Sequence, residues 1–125
     1  MTIQEALDQI DELKVNTYST HQKIRWLSDL DGKVWHEIIM AHEGVPQGMV
    51  FEGYDANTPP DTVLLAPGPY AEIYKHWLAA QIDDNNRDTQ EYNKSMIRYN
   101  QARKDLEDYW TRTHMPIGRA TQFRF

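Results

Sequence analysis

The stretch that decides the fold is Pro69–Thr113, PYAEIYKHWLAAQIDDNNRDTQEYNKSMIRYNQARKDLEDYWTRT. In its first half Tyr70, Ile73, Tyr74, Trp77, Leu78 and Gln81 recur at i, i+3, i+4, i+7, i+8 and i+11. That spacing lines one face of an α-helix. In its second half Tyr92, Met96, Tyr99, Arg103, Leu106, Trp110 and Thr113 step alternately by four and three, the seam of packed helices. Between the halves, Asp83-Asp84-Asn85-Asn86 are weak helix formers, and Asp88 with Glu91 makes a capping box. The reading is a helix over 69–83, a short turn, and a long helix over 88–113. So short a turn sets the two helices antiparallel; a single bent helix is the alternative.

Upstream, Thr2 and Glu5 form a capping box opening a short helix with an Ile3, Ala6, Leu7, Ile10, Leu13 stripe. Its other face carries Glu5, Asp8, Asp11 and Glu12. Val15–Tyr18 breaks it, and Ser19 with Gln22 opens a central helix expected to run to about His42. The apolar residues Ile24, Trp26, Leu27, Leu30, Val34, Trp35, Ile38, Ile39 and Ala41 cover well over half of that helix's circumference. An ordinary surface helix needs a narrower stripe, so this one is either central in the domain or shared with a neighbouring subunit. Asp31 falls inside the arc and must find a partner or face an opening, because an unpaired buried carboxylate is costly. A structural ion pair or cap is the expected use. Gly32 beside it suggests a close packing approach.

Residues 44–68 hold four of the six glycines and four of the six prolines, which marks an irregular segment. Met49–Tyr54 and Thr62–Leu65 could pair as a small β-hairpin, and an ordered loop is the equal alternative. The fold class expected is therefore all-α: a short N-terminal helix, a central helix and an antiparallel pair. One helical domain spans 1–113, and 114–125 forms an extended docking tail. That tail contains Arg119, Phe123, Arg124 and Phe125 and no acid.

Composition narrows the function. The 125-residue chain carries 13 basic and 19 acidic residues, a net charge of −6, which argues against a dedicated nucleic-acid binder. Without cysteine there is no disulfide framework or thiolate metal site. The first residues lack a signal-peptide core, and no apolar run approaches a membrane span, so a soluble chain without membrane partners is expected. His36-Glu37 and His42 miss the zinc-protease spacing. Asp84, Asn86 and Asp88 alternate as in a calcium loop, but Thr89 and Ser95 stand where glycine and glutamate are required. No phosphate loop, dinucleotide fingerprint or nucleophile motif is present. Neither an enzyme nor a cofactor is expected. Asn86, Asn93 and Asn100 recur every seven residues, either as a register device or as a solvated flank.

Three segments together carry a resemblance: YSTHQKIRWLSDLDGKVWHEII (Tyr18–Ile39), PYAEIYKHWLAAQID (Pro69–Asp83) and YNKSMIRYNQARKDLEDYWTRTHMP (Tyr92–Pro116). In this order and spacing they resemble the head–tail connector, or adaptor, proteins of tailed double-stranded-DNA phages and prophages. The resemblance implies a helical subunit that forms a homo-oligomeric ring, commonly dodecameric, below the portal protein. DNA passes through the lumen without specific binding, and a tail-side stopper attaches below. It also implies residence in the host cytoplasm before assembly and in the virion neck afterwards. No residue role carries over with it. From the residues themselves, Trp26, Asp31, Trp35, Tyr99, Arg103, Trp110, Arg119, Phe123, Arg124 and Phe125 are the candidate subunit or portal contacts. Arg103, a charge on the seam, is expected to meet a neighbour's carboxylate. A small phage-encoded helical protein acting on a host target is the alternative reading.

Overall fold

The computed structural model describes residues 1–46 and 48–115. In chain order the elements are α1 (Ile3–Leu13), α2 (Thr20–Lys33), a π-helical turn (Val34–Ile39), a 3₁₀ turn (Gly68–Tyr70), α3 (Glu72–Asn85) and α4 (Thr89–Thr113). The all-α expectation holds. Strands are absent among the described residues, and the β-hairpin expected as one option over 49–65 does not form. Val63 instead makes an isolated antiparallel bridge with Thr2, outside the expected hairpin.

Three of the helix starts follow the sequence closely, whereas α3 begins at Glu72, after the 3₁₀ turn, and not at Pro69. Thr2 and Glu5 make the full capping box, the Glu5 N–H donating to Thr2 Oγ1 at 3.2 Å and the Thr2 N–H to Glu5 Oε1 at 3.1 Å. Ser19 and Asp88 each accept one N–H, from Gln22 and Glu91 respectively. α1 ends one turn early as a buried stripe: Ile3, Ala6, Leu7 and Ile10 are buried, whereas Leu13 is 57% exposed.

The central helix departs from expectation. After Lys33 it widens into a π-helical turn in which the Met40 N–H donates to the Trp35 carbonyl at 2.8 Å. The wider turn inserts an extra residue and shifts the phase of everything after it. Val34, Trp35, Ile38 and Ile39 thereby all become buried. Every apolar residue of the over-wide arc except Ala41 is thus buried within the subunit. Gly32 lies two residues before this turn, and a Cβ there would meet nothing within 4 Å, so the expected close approach is absent.

The decisive stretch is an antiparallel pair, as expected. α3 has eight buried residues of fourteen, because Ala79, Ala80 and Ile82 add a second buried face to the Ile73, Tyr74, Trp77, Leu78 stripe. It is therefore the innermost helix, touching α1, α2 and α4. α4 lies across it as a cover, burying only Ser95, Tyr99 and Leu106. Trp77 joins the layers. Its ring packs on Tyr99 at 5.0 Å, and its indole N–H donates to the Trp26 carbonyl at 2.9 Å.

The turn between α3 and α4 is a Schellman motif. The Asp88 N–H reaches the Asp83 carbonyl at 2.9 Å and the Arg87 N–H the Asp84 carbonyl at 3.1 Å. Arg87 occupies the left-handed position at φ +59°, where glycine is usual. Below it, the Asp83 carboxylate accepts from Lys14 Nζ and Ser95 Oγ, each at 2.8 Å, so α1, α3 and α4 are tied at this end.

Candidate functional site

Asp31 is the most buried charged side chain, with no exposure at all. Its partners are neutral donors. The Tyr54 hydroxyl donates to Oδ2 at 2.6 Å, the Leu65 N–H to Oδ2 at 3.1 Å, and the Tyr74 hydroxyl to Oδ1 at 2.7 Å. The Tyr74 oxygen in turn accepts the Ala66 N–H at 2.7 Å. Burial pushes the Asp31 carboxyl above its ordinary range, and the hydrogen bonds from Tyr54 and Tyr74 oppose that. Burial and the adjacent carboxylate raise both tyrosine hydroxyls, which remain donors. The expected ion pair or cap is thus a carboxylate hub. It fastens the irregular segment to α2 and α3 and presents no reactive group to solvent.

Further bonds hold the same segment. The Tyr54 N–H donates to Ser28 Oγ at 3.0 Å, and Gly53 (φ +84°) lies so close that a Cβ would sit 2.9 Å from that oxygen. Ile3 and Gln4 donate to the carbonyls of Thr62 and Pro60, each at 3.0 Å. With no strand of its own, the described part of this segment takes its order from side chains and backbone N–H groups of the helices.

The remaining candidates separate by burial. Trp26, Trp35 and Tyr99 are 5–7% exposed and belong to the core, as does Asp31. They therefore support the subunit's own core, although Trp35 also reaches the wall of the apolar groove at Trp110. Arg103 finds its carboxylate at home: its guanidinium lies 2.9 Å from Glu37 Oε1 and 3.6 Å from Glu107 Oε2, which corrects the expectation of a neighbour's acid. The cause is the π-helical turn, which carries Glu37 outward against the middle of α4. Asn86 sits in the turn accepting the Tyr18 hydroxyl at 2.7 Å, while Asn93 and Asn100 are exposed on α4. Arg119, Phe123, Arg124 and Phe125 lie outside the described residues.

Trp110 is different. It borders an apolar groove of about 220 Å³ between the end of the π-helical turn, residues 43–46 with Met49, Leu65 and the end of α4. Trp35, Ile39, Val45, Met49 and Leu65 line it, and His114 stacks on the Trp110 ring at 4.8 Å. Among the described residues the buried Trp110 indole N–H has no acceptor. The Glu43 N–H donates to the Met115 carbonyl at 2.8 Å, so the start of the C-terminal segment is held at the groove's rim. Met40, Met49, Val50 and Met115 are 44–71% exposed around this end of the molecule. Sequence reasoning named Trp110 but missed the groove, because its walls come from four separate stretches.

A second groove, of about 360 Å³, lies between α1, α3 and α4 and is lined on one side by Lys75, His76 and Arg98. Nothing in the linear sequence marked this convergence. Among the described residues no group of His, Asp and Glu could hold a metal ion, and no helix is long and apolar enough to cross a membrane. His36 is exposed, whereas buried His42 donates from Nδ1 to the Ile38 carbonyl at 2.6 Å and meets Thr111 Oγ1 through Nε2 at 3.1 Å. Comparison with protein-family models, curated proteins and solved structures returned no match.

Proposed function

We propose that this chain is a structural subunit of the neck of a tailed double-stranded-DNA phage. In this reading it is an adaptor that assembles into a ring, commonly dodecameric, below the portal. The observation that carries the reading is the apolar groove at Trp110, open at the end from which the C-terminal segment leaves. A hydrophobic groove bordered by exposed methionines and a buried, unpaired indole donor suits a protein partner. The three segments that resemble head–tail connectors coincide with α2 and its π-helical turn, with α3, and with α4. The portal is the partner assigned to the groove end, and the stopper attaches on the opposite side of the ring. A net charge of −6 keeps DNA in the lumen from adhering, since like charge suppresses phosphate binding.

Native mass spectrometry tests this, on the full chain and on a chain lacking Gly118–Phe125, each with and without a phage portal protein. The full chain is expected to form a closed oligomer alone or on the portal. The truncated chain should stay folded and assemble poorly. A full chain that remains monomeric in both conditions would overturn the reading.

A further inference from the structure

The chain is acidic overall, yet the groove between α1, α3 and α4 has the opposite sign. Its cations are incompletely answered. Lys14 is held by Asp83 at 2.8 Å, Lys75 has only Glu72 at 3.4 Å, and Arg98 makes no ion pair among the described residues. His76 lies between the last two, and burial together with Lys75 and Arg98 holds its imidazole below the ordinary range, with Glu72 opposing. Glu72 and Asp105 are the acids of the adjoining hollow, on the far side of His76. The edges of this region are apolar: Leu13 is 57% and Ile97 69% exposed. A cationic floor suits an acidic surface.

α1 offers an acidic face. On α1, Glu5 is engaged in the capping box and Asp11 pairs with Lys23. Asp8, bonded by Gln4, and Glu12 remain exposed and face no cation among the described residues. At roughly 100° per residue, Asp8 points about 140–160° away from Ile10 and Leu13, which line the groove, and Glu12 about 100–160° away. The acidic face and the basic groove therefore look in different directions around α1, and neither Asp8 nor Glu12 pairs with a groove cation within one copy. Two different, complementary patches define a heterologous contact, which closes into a ring when the rotation permits.

We propose that neighbouring copies of this chain join by seating the Asp8–Glu12 face of α1 on the Lys75–His76–Arg98 groove of the next copy. This rests on the ring reading above and names the surface that builds the ring. The portal-facing groove at Trp110 stays free in such an arrangement, because it lies at the other end of the α3–α4 pair.

The absence of native cysteine allows a direct test. The variant carrying both Asp8→Cys and Arg98→Cys should give a ladder of disulfide-linked oligomers under mild oxidation, and each single variant no more than a dimer. In parallel, Glu12→Lys and Arg98→Glu should each weaken self-association by at least about tenfold, and the two combined should recover part of it. Circular dichroism would verify that each variant is folded. All assemblies are examined with and without the portal protein. Wild-type rings combined with no ladder and unimpaired reversals would overturn this contact and leave the ring intact. Loss of portal capture in Arg98→Glu, with copies still self-associating, would assign the groove to the portal and overturn the contact. A wild type that never assembles would overturn both.

Discussion

The Tyr54 hydroxyl lies 2.6 Å from Asp31 Oδ2, so a loop residue supplies a hydrogen bond that a fully buried carboxylate on α2 needs. The pair is twenty-three positions apart in sequence and joins the irregular segment to the core. With Tyr74 it forms a three-residue polar centre in which every named oxygen is bonded.

Truncating the two phenols should have unequal effects. Tyr54→Phe removes one donor from Asp31 and is expected to cost about 1–3 kcal/mol. Tyr74→Phe removes a donor from Asp31 and also orphans the buried Ala66 N–H, so its cost should be larger. Denaturant midpoints at unchanged m would measure both. Equal midpoints for Tyr74→Phe and wild type would show that the network adds no stability.

The same centre predicts a pH dependence. Burial raises the folded-state pKa of Asp31 above the ordinary value of 3.8, so the folded state holds this proton more tightly than the unfolded state. The stability linked to that proton is fully present below the unfolded value and is lost as pH rises through the folded one. Asp31→Asn cannot titrate. The stability of wild type minus that of Asp31→Asn should therefore fall as pH rises from about 4, then level off. A difference that grew with pH would mean that the three donors outweigh burial.

Arg87 offers a stabilising change. It holds the left-handed position of the Schellman turn, a conformation that costs a residue with a Cβ roughly 1–2 kcal/mol and glycine very little. Arg87→Gly should raise stability by up to about 1 kcal/mol once the greater freedom of the unfolded glycine is subtracted. Thermal unfolding should move up by a few degrees. A lower melting temperature would show that the Arg87 side chain itself supports the turn.

The Arg103–Glu37 pair shows where local reading ends. The seam pattern placed Arg103 at the contact face of α4, and there it is, at 30% side-chain exposure. Its partner depends on the phase of the helix after Lys33, which hydrogen bonding in the π-helical turn sets. An α-helical wheel drawn from sequence carries the wrong phase beyond that point. The same shift explains why an arc too wide for one α-helical face is buried within the subunit at all its residues but Ala41.

The sequence by itself determined the helices, because periodicity, capping residues and the Asp83–Asp88 break act within a few positions of one another. It also placed Asp31 in the core and required that it be satisfied. Only the tertiary structure decided how, since Tyr54, Leu65 and Tyr74 reach one carboxylate from a loop and a second helix. It likewise decided the loop over the hairpin: no strand partner competes with the bonds that the helices and the N-terminal residues offer to 53–66. Both grooves belong to this second kind of knowledge. Their walls come from stretches that chain folding brings together, and the chemistry of a surface is a property of that convergence.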